Sequence, residues 1–375
     1  MTSGVHHEAP RRRRPALSWA ALLLATGVAS GACGGDPVIS NVNVSEDLCD
    51  LDTDLLWASL PPDAIPALTR PDMVAADSEE AAYLFENDRV LGMVVNGEAR
   101  AYPHNILWWH EIINDEIDGT WVTVTLCPLT GSGLAFDPVV EGRRLNLGVS
   151  GLLFANNLVM FDRESGGVFG PQLATAGKCG TFRSVRLGAV PVQEMSWGRW
   201  KSFHPDTRVV SENTGFPRSY RQYPYGAYDQ LGNDELLFPM PVDRTRPIKE
   251  RVLVIRTGEE TGRGYPFGEL GALGTNAAVN EEVEGIPTVV FYEAIEGGNA
   301  LAFDRRVAGQ TLTFTPLPQA GDGYRDQETG STWRLDGLAV SGPLAGERLT
   351  QRVDSYVAFW FAWRHFVPRG ETFSS

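Results

Sequence analysis

The sequence predicts a mainly β fold, α+β with a few short helices, built as two tandem β-rich units packed into one body. Three observations carry this. The 375 residues include 40 Gly and 24 Pro, too many turn formers for a helical bundle and suited to strands joined by tight turns. Apolar residues make up 43% and aromatics 10%, enough to bury a core and to exclude a disordered chain. A series of short blocks also occurs twice in the same order, the signature of a duplicated unit.

Val90–Glu98 with Tyr102-Pro103 returns as Val252–Glu259 with Tyr265-Pro266, and Asn114–Gly119 as Asn280–Gly285. Leu134–Asp137 returns as Leu301–Asp304, and Asp162–Gly166 as Asp326–Gly330. Trp197, Trp200, Phe203 and Pro205 match Trp360, Trp363, Phe366 and Pro368 at the same internal spacing. The first unit is placed at 65–210 and the second at 249–375. A connecting region at 211–248, rich in tyrosine, proline and arginine, includes Tyr220, Tyr223, Tyr225 and Tyr228.

Within the first unit, Val90–Val95 and Glu98–Tyr102 flank Asn96-Gly97, the favoured two-residue hairpin turn. A helix is expected from Pro103, which suits a first turn, covering Asn105 to Ile113. Trp121–Leu126 alternates as a strand, Leu134–Val140 and Arg143–Val149 form a second hairpin around Glu141-Gly142, and Leu152–Phe161 reads as one apolar strand. Trp197, Trp200 and Phe203 fall at i, i+3, i+6 and make the packing face of a short helix. His204 is expected at that helix's end.

The chain opens as a targeting segment. Arg11–Arg14 precede an apolar run from Ala16 to Val28 that is too short for a membrane span. Ser30-Gly31-Ala32-Cys33 resembles a bacterial lipobox, so residues 1–32 are expected to be a signal peptide and Cys33 a lipidated residue. Residues 33–64 are then a lipid-anchored polar tether, and the protein an exported one of the cell envelope. Arg13-Arg14 leaves both the general secretory and the twin-arginine route open. Residues 1–32 carry four Arg and one Glu, a charge of +3, so with a total of −15 the remainder is −18. Such an acidic body repels nucleic-acid backbones, and membrane contact is expected only through the anchor.

Beyond Cys33 stand Cys49, Cys127 and Cys179. Outside the cytosol cysteines tend to pair, and three cysteines leave one thiol over, with all three pairings open.

Chemistry is sought where the two units differ. The first has Trp109-His110-Glu111 on its expected helix where the second has Thr275-Asn276-Ala277, and Cys127-Pro128 where the second has Glu293-Ala294. On a helical wheel His110 points into an apolar arc with Leu107 and Ile113, where an imidazole needs a hydrogen-bond partner. Cys127, at a strand end before Pro128 and Gly131-Ser132-Gly133, is expected to have few neighbours over its sulfur. The two could satisfy one another or share a soft metal. His110–Asn114 is not a zinc protease motif, because Asn114 replaces the second histidine. Phosphate-loop, nucleophile-elbow and dinucleotide fingerprints are missing.

The stretches Asn96–Pro103, Trp109–Glu111, Cys127–Gly131, Ser150–Leu153, Asp162-Arg163, His204–Thr207, Gly330–Trp333, Gly342–Gly346 and Phe359–Trp363 resemble the bacterial family catalogued as domain of unknown function 3179. The resemblance implies an exported or lipoprotein-like protein, with no activity to carry over, and its His-Glu and Cys-Pro elements fall on His110, Glu111 and Cys127.

Three functional expectations follow. The first is binding of a ligand or soft metal such as copper by His110 and Cys127, with Glu111 or Met160 adjacent. The second is an enzyme using Cys127 as nucleophile or redox thiol and His110 as its base. The third is a structural or partner-binding module in which these residues only pack.

Overall fold

The computed structural model describes residues 49–375. The expected signal peptide and Cys33 lie outside them. The fold is mainly β.

The first hairpin pairs Arg89–Val95 with Glu98–Pro103. Its turn residues Asn96 and Gly97 both take positive φ (50° and 87°), which the Asn-Gly pair tolerates at little cost. Gln193–Ser196 joins this hairpin antiparallel on one side and Arg208–Val210 parallel on the other. Helix α1, His104–His110, leaves the hairpin, followed by the meander Ile112–Ile117, Thr120–Cys127 and Ser132–Asp137. Leu147–Phe154 and Asn157–Asp162 form a further antiparallel pair. Helix α2, Trp197–Phe203, carries the expected apolar stripe, with Trp197, Trp200 and Phe203 buried and His204 at its C-cap.

A second series follows. Arg251–Arg256 pairs with Gly262–Pro266, flanked by Ser355–Phe359 antiparallel and Glu371–Thr372 parallel. Helix α3, Phe267–Ala272, leads into the meander Asn276–Val283, Ile286–Glu293 and Asn299–Asp304. Helix α4, Trp360–Phe366, follows Ser355–Phe359.

The Trp200 indole lies where a Cβ on Gly92 would sit, and the Trp363 indole where one on Gly264 would. Only glycine admits a ring that close to a strand. The two series also interlock. Phe359 donates its N–H to Thr130 O at 2.8 Å, and Ser196 donates its own to the Asn299 side chain at 3.1 Å. Arg89 and Arg251 both bind Glu194, at 2.9 and 2.8 Å. All described residues belong to one compact unit.

Several local expectations need correction. Helix α1 ends at His110, not Ile113, because Glu111 turns to φ 55° and Ile112-Ile113 pair with Thr125 and Val124. Sheet pairing outweighs helical periodicity in so short a segment. Leu152–Phe161 is not one strand but two, separated by Ala155 and Asn156 at positive φ. The second hairpin forms around Glu141-Gly142 but is short, pairing Val139–Val140 with Arg143–Arg144, because the chain leaves the strand Ser132–Asp137 at Pro138. Of the expected tether, residues 49–64 are tied into the body: Cys49 is disulfide-bonded to Cys179, and Leu56–Ala58 pairs with Leu152–Phe154. The connecting region 211–248 carries no helix or strand. Among the described residues no helix is long and apolar enough to cross a membrane.

Candidate functional site

The backbone brings Glu111 and Cys127 together. Antiparallel pairing of Ile112–Ile117 with Thr120–Cys127 sets Glu111 level with the end of its partner strand, and Leu126 donates its N–H to Glu111 O at 2.8 Å. Glu111 sits at the helix C-cap with φ 55°, ψ −30°, a strained conformation for a residue with a Cβ. Its side chain, 4% exposed, has no hydrogen-bond partner shown, and burial pushes its pKa up to about 8.

Cys127 is the free cysteine of the described residues, and its residue is fully buried. The expectation of an uncovered sulfur is therefore wrong, because the strand end turns inward and other segments cross over it. The thiol donates to Asn156 O at 3.4 Å. Burial first, and then the Glu111 carboxyl, push its pKa up to about 11, while the hydroxyl and N–H of Thr130 and the N–H of Leu158 oppose that rise.

Thr130 also belongs to a buried polar network. Its hydroxyl meets Ser132 Oγ at 2.8 Å and accepts from Asn157 Nδ2 at 3.0 Å. Ser132 Oγ and Asn157 Nδ2 both donate to Gln172 Oε1, at 2.8 and 3.0 Å, and Gln172 Nε2 donates to Thr125 Oγ1 at 2.8 Å. With every member satisfied, the network fixes the loop after Cys127.

The cover comes from the connecting region. Tyr223, Tyr225 and Tyr228 pack in the same apolar cluster as Cys127. Tyr223 packs edge-on against Trp108 at 5.0 Å, and its hydroxyl is buried without a partner. Tyr228 donates to Leu129 O at 3.1 Å. Above the Tyr228 ring, 3.0 Å from its centroid, lies the Lys249 ammonium nitrogen, buried, unpartnered and drawn down to about 7 by burial. Asn156 clamps the far end of this cover, donating to Phe238 O and accepting from Phe238 N, both at 2.9 Å.

His110 is fully buried, as its wheel position implied, but its nitrogens are committed elsewhere. Nδ1 lies 2.7 Å from Pro66 O, so it carries the proton, and Nε2 accepts from the Tyr220 hydroxyl at 2.7 Å. Burial draws the imidazole down to about 4. Met160 packs in the same apolar cluster as Cys127. Of the four candidate residues the structure thus groups Glu111, Cys127 and Met160 around one part of the core, and ties His110 to other partners. Among the described residues no group of three His, Cys, Asp or Glu side chains is arranged to hold a metal ion.

At the place corresponding to Cys127 the second series has Glu293, buried and held by Arg199 through bonds of 2.7 and 2.9 Å. At the place of His110, Asn276 donates to Leu317 O and Gly323 O. Sequence reasoning passed over Thr130, the three tyrosines and Lys249 as site residues. The available signal was the density of tyrosine in a segment with no strand or helix periodicity.

This is a buried thiol and carboxyl in a mainly β framework. The family described as protein of unknown function (DUF3179) matches residues 62–370, and the chain belongs to that family. Comparison with curated proteins and with solved structures gave no match.

Proposed function

We propose that the protein is an exported, lipid-anchored protein of the cell envelope with a thiol-dependent activity. In this reading Cys127 is the nucleophile, and Glu111, in the ionised form that predominates above about 8, takes its proton. The observation that carries the reading is the buried Glu111 carboxyl, strained in backbone, set level with the end of the Cys127 strand and raising the pKa of the free Cys127 thiol. A base whose pKa lies near the working pH is the effective one, and about 8 meets that condition. Proton transfer to Glu111 leaves a thiolate facing the N–H groups of Thr130 and Leu158, ready to attack an electrophilic atom of a substrate. Glu111 thereby takes the role first given to His110.

Support for export comes from the Cys49–Cys179 disulfide, a bond that persists in oxidising compartments, and from the basic and apolar start of the chain with its lipobox-like end at Cys33. Membrane contact is assigned to that anchor alone, and the acidic body argues against nucleic-acid partners. The matching order of elements in the two series supports descent from one duplicated unit.

The test is alkylation of Cys127 by iodoacetamide in the folded protein, followed by mass spectrometry across pH. The rate is expected to rise through a midpoint near 8 and to drop at least about tenfold in Glu111→Gln. Simple electrostatics gives the opposite sign, because removing a neighbouring carboxylate lowers the thiol pKa. A faster Glu111→Gln variant, or a thiol inert at every pH until unfolding, overturns the reading.

A second reading, soft-metal binding, rests on Cys127 and Met160 sharing one cluster, since thiolate and thioether both suit Cu(I). Cu(I) titration of the wild type against Cys127→Ser separates it: equal binding removes Cys127 from any metal site.

A further inference from the structure

A cavity of about 260 Å³ lies beside the strand Ser132–Asp137, between residues 172–175 and Val353–Tyr356. Leu134, Phe136, Leu173, Leu187 and Val190 give it apolar walls. Gln172 also lines it but is already satisfied by Thr125, Ser132 and Asn157. The Thr175 hydroxyl, also in the lining, is buried and has no hydrogen-bond partner, and the Tyr356 hydroxyl is buried with only the Arg256 guanidinium beside it. Unanswered buried hydroxyls are costly, and in a native protein they call for an explanation.

The lining is also positive. Arg256 gives its N–H groups to the carbonyls of Leu173, Gly258, Glu259 and Phe366, and Arg186 reaches Thr175 O at 3.3 Å. Carbonyls use the hydrogens of a guanidinium without neutralising its charge. Two acids lie near these guanidiniums, Asp354 in the lining and Glu259, whose carboxylate also feels Arg186 and Arg256, but the direct partners of both acids are other cations. Asp354 takes two bonds from Arg352, at 3.0 and 2.7 Å, and Glu259 is paired with Lys178. A chain of net charge −15 therefore holds an apolar pocket lined by two guanidiniums, one acid already bound to Arg352, and two buried hydroxyls. Apolar walls with a few convergent polar groups are the usual make-up of a small-molecule site.

We propose that this cavity binds a small organic anion, a carboxylate on a short apolar chain. Arg186 and the Tyr356 hydroxyl hold the charged end, and the tail lies against Leu134, Leu173 and Val190. The site is independent of the thiol reading and stands or falls separately from it.

Calorimetric titration of the full chain with hexanoate, hexan-1-ol and hexylamine tests the assignment. Hexanoate is expected to bind saturably at one site, at least about tenfold more tightly than hexan-1-ol, with hexylamine not binding. Tyr356→Phe and Arg186→Gln are each expected to weaken hexanoate about tenfold while Tm holds, and Cys127→Ser to leave binding intact. No saturable hexanoate binding, equal affinity for all three probes, or full affinity in both folded variants overturns the proposal.

Discussion

Glu111 and Cys127 lie together in the interior with no basic side chain shifting either one, so each is held in its neutral form near pH 7. A carboxyl and a thiol arranged this way make the region sensitive to pH.

Glu111 should weaken the fold as pH rises. Its pKa is about 8 in the folded protein against an ordinary 4.5. Below 4.5 the group is neutral in both states and costs nothing. Between 4.5 and 8 the unfolded chain releases a proton that the folded one retains, so stability falls by roughly 1.4 kcal/mol per pH unit. Above 8 the loss is complete. Glu111→Gln should therefore gain in Tm over the wild type as pH climbs from 5 to 8. A constant difference over that range would count against the buried neutral carboxyl.

The histidines act on the other side of neutrality. His104, His110 and His204 are each drawn from 6.5 to about 4 by burial. Their contribution is present above 6.5 and is lost as pH falls toward 4, where the unfolded chain binds protons that the folded one refuses. The urea midpoint should drop over this window, and His110→Gln should make the drop shallower.

The tyrosine cover hangs on few bonds. Tyr220→Phe removes the donor to His110 Nε2 and the link to Thr214, which should cost about 1–3 kcal/mol. Limited proteolysis should then cut the variant within 214–240 faster than the wild type. An unchanged digestion pattern would show that the cover is held elsewhere.

Gly92→Ala and Gly264→Ala drive a methyl into Trp200 and Trp363. Each should lower stability by about 1–3 kcal/mol through overpacking, measured as a denaturation midpoint. Tolerance at one site but not the other would argue that the two series pack differently there.

Breaking Cys49–Cys179 frees a long loop, whose ends are 130 positions apart in sequence. Cys49→Ser should cost about 2–5 kcal/mol, seen as a fall in Tm that reducing agent reproduces in the wild type but not in the variant.

Much of this protein was decided locally, and that part could be read from its residues. Asn96-Gly97 makes a hairpin wherever it is flanked by strands, because both residues accept positive φ. The Trp197, Trp200, Phe203 spacing makes a buried helical face. Alternation marks Trp121–Leu126 as a strand, and the structure extends it by one residue at each end to Thr120–Cys127. Tertiary structure decided the rest. Whether Ile112 continued a helix or joined a strand depended on a partner strand at Thr125. Which cysteines paired depended on where Cys49 docks, and which side chains closed over Cys127 depended on the course of a segment with no periodicity to read. A free sulfur, a strained carboxyl and three tyrosines far apart in the chain meet only because strand register and one irregular crossing place them together.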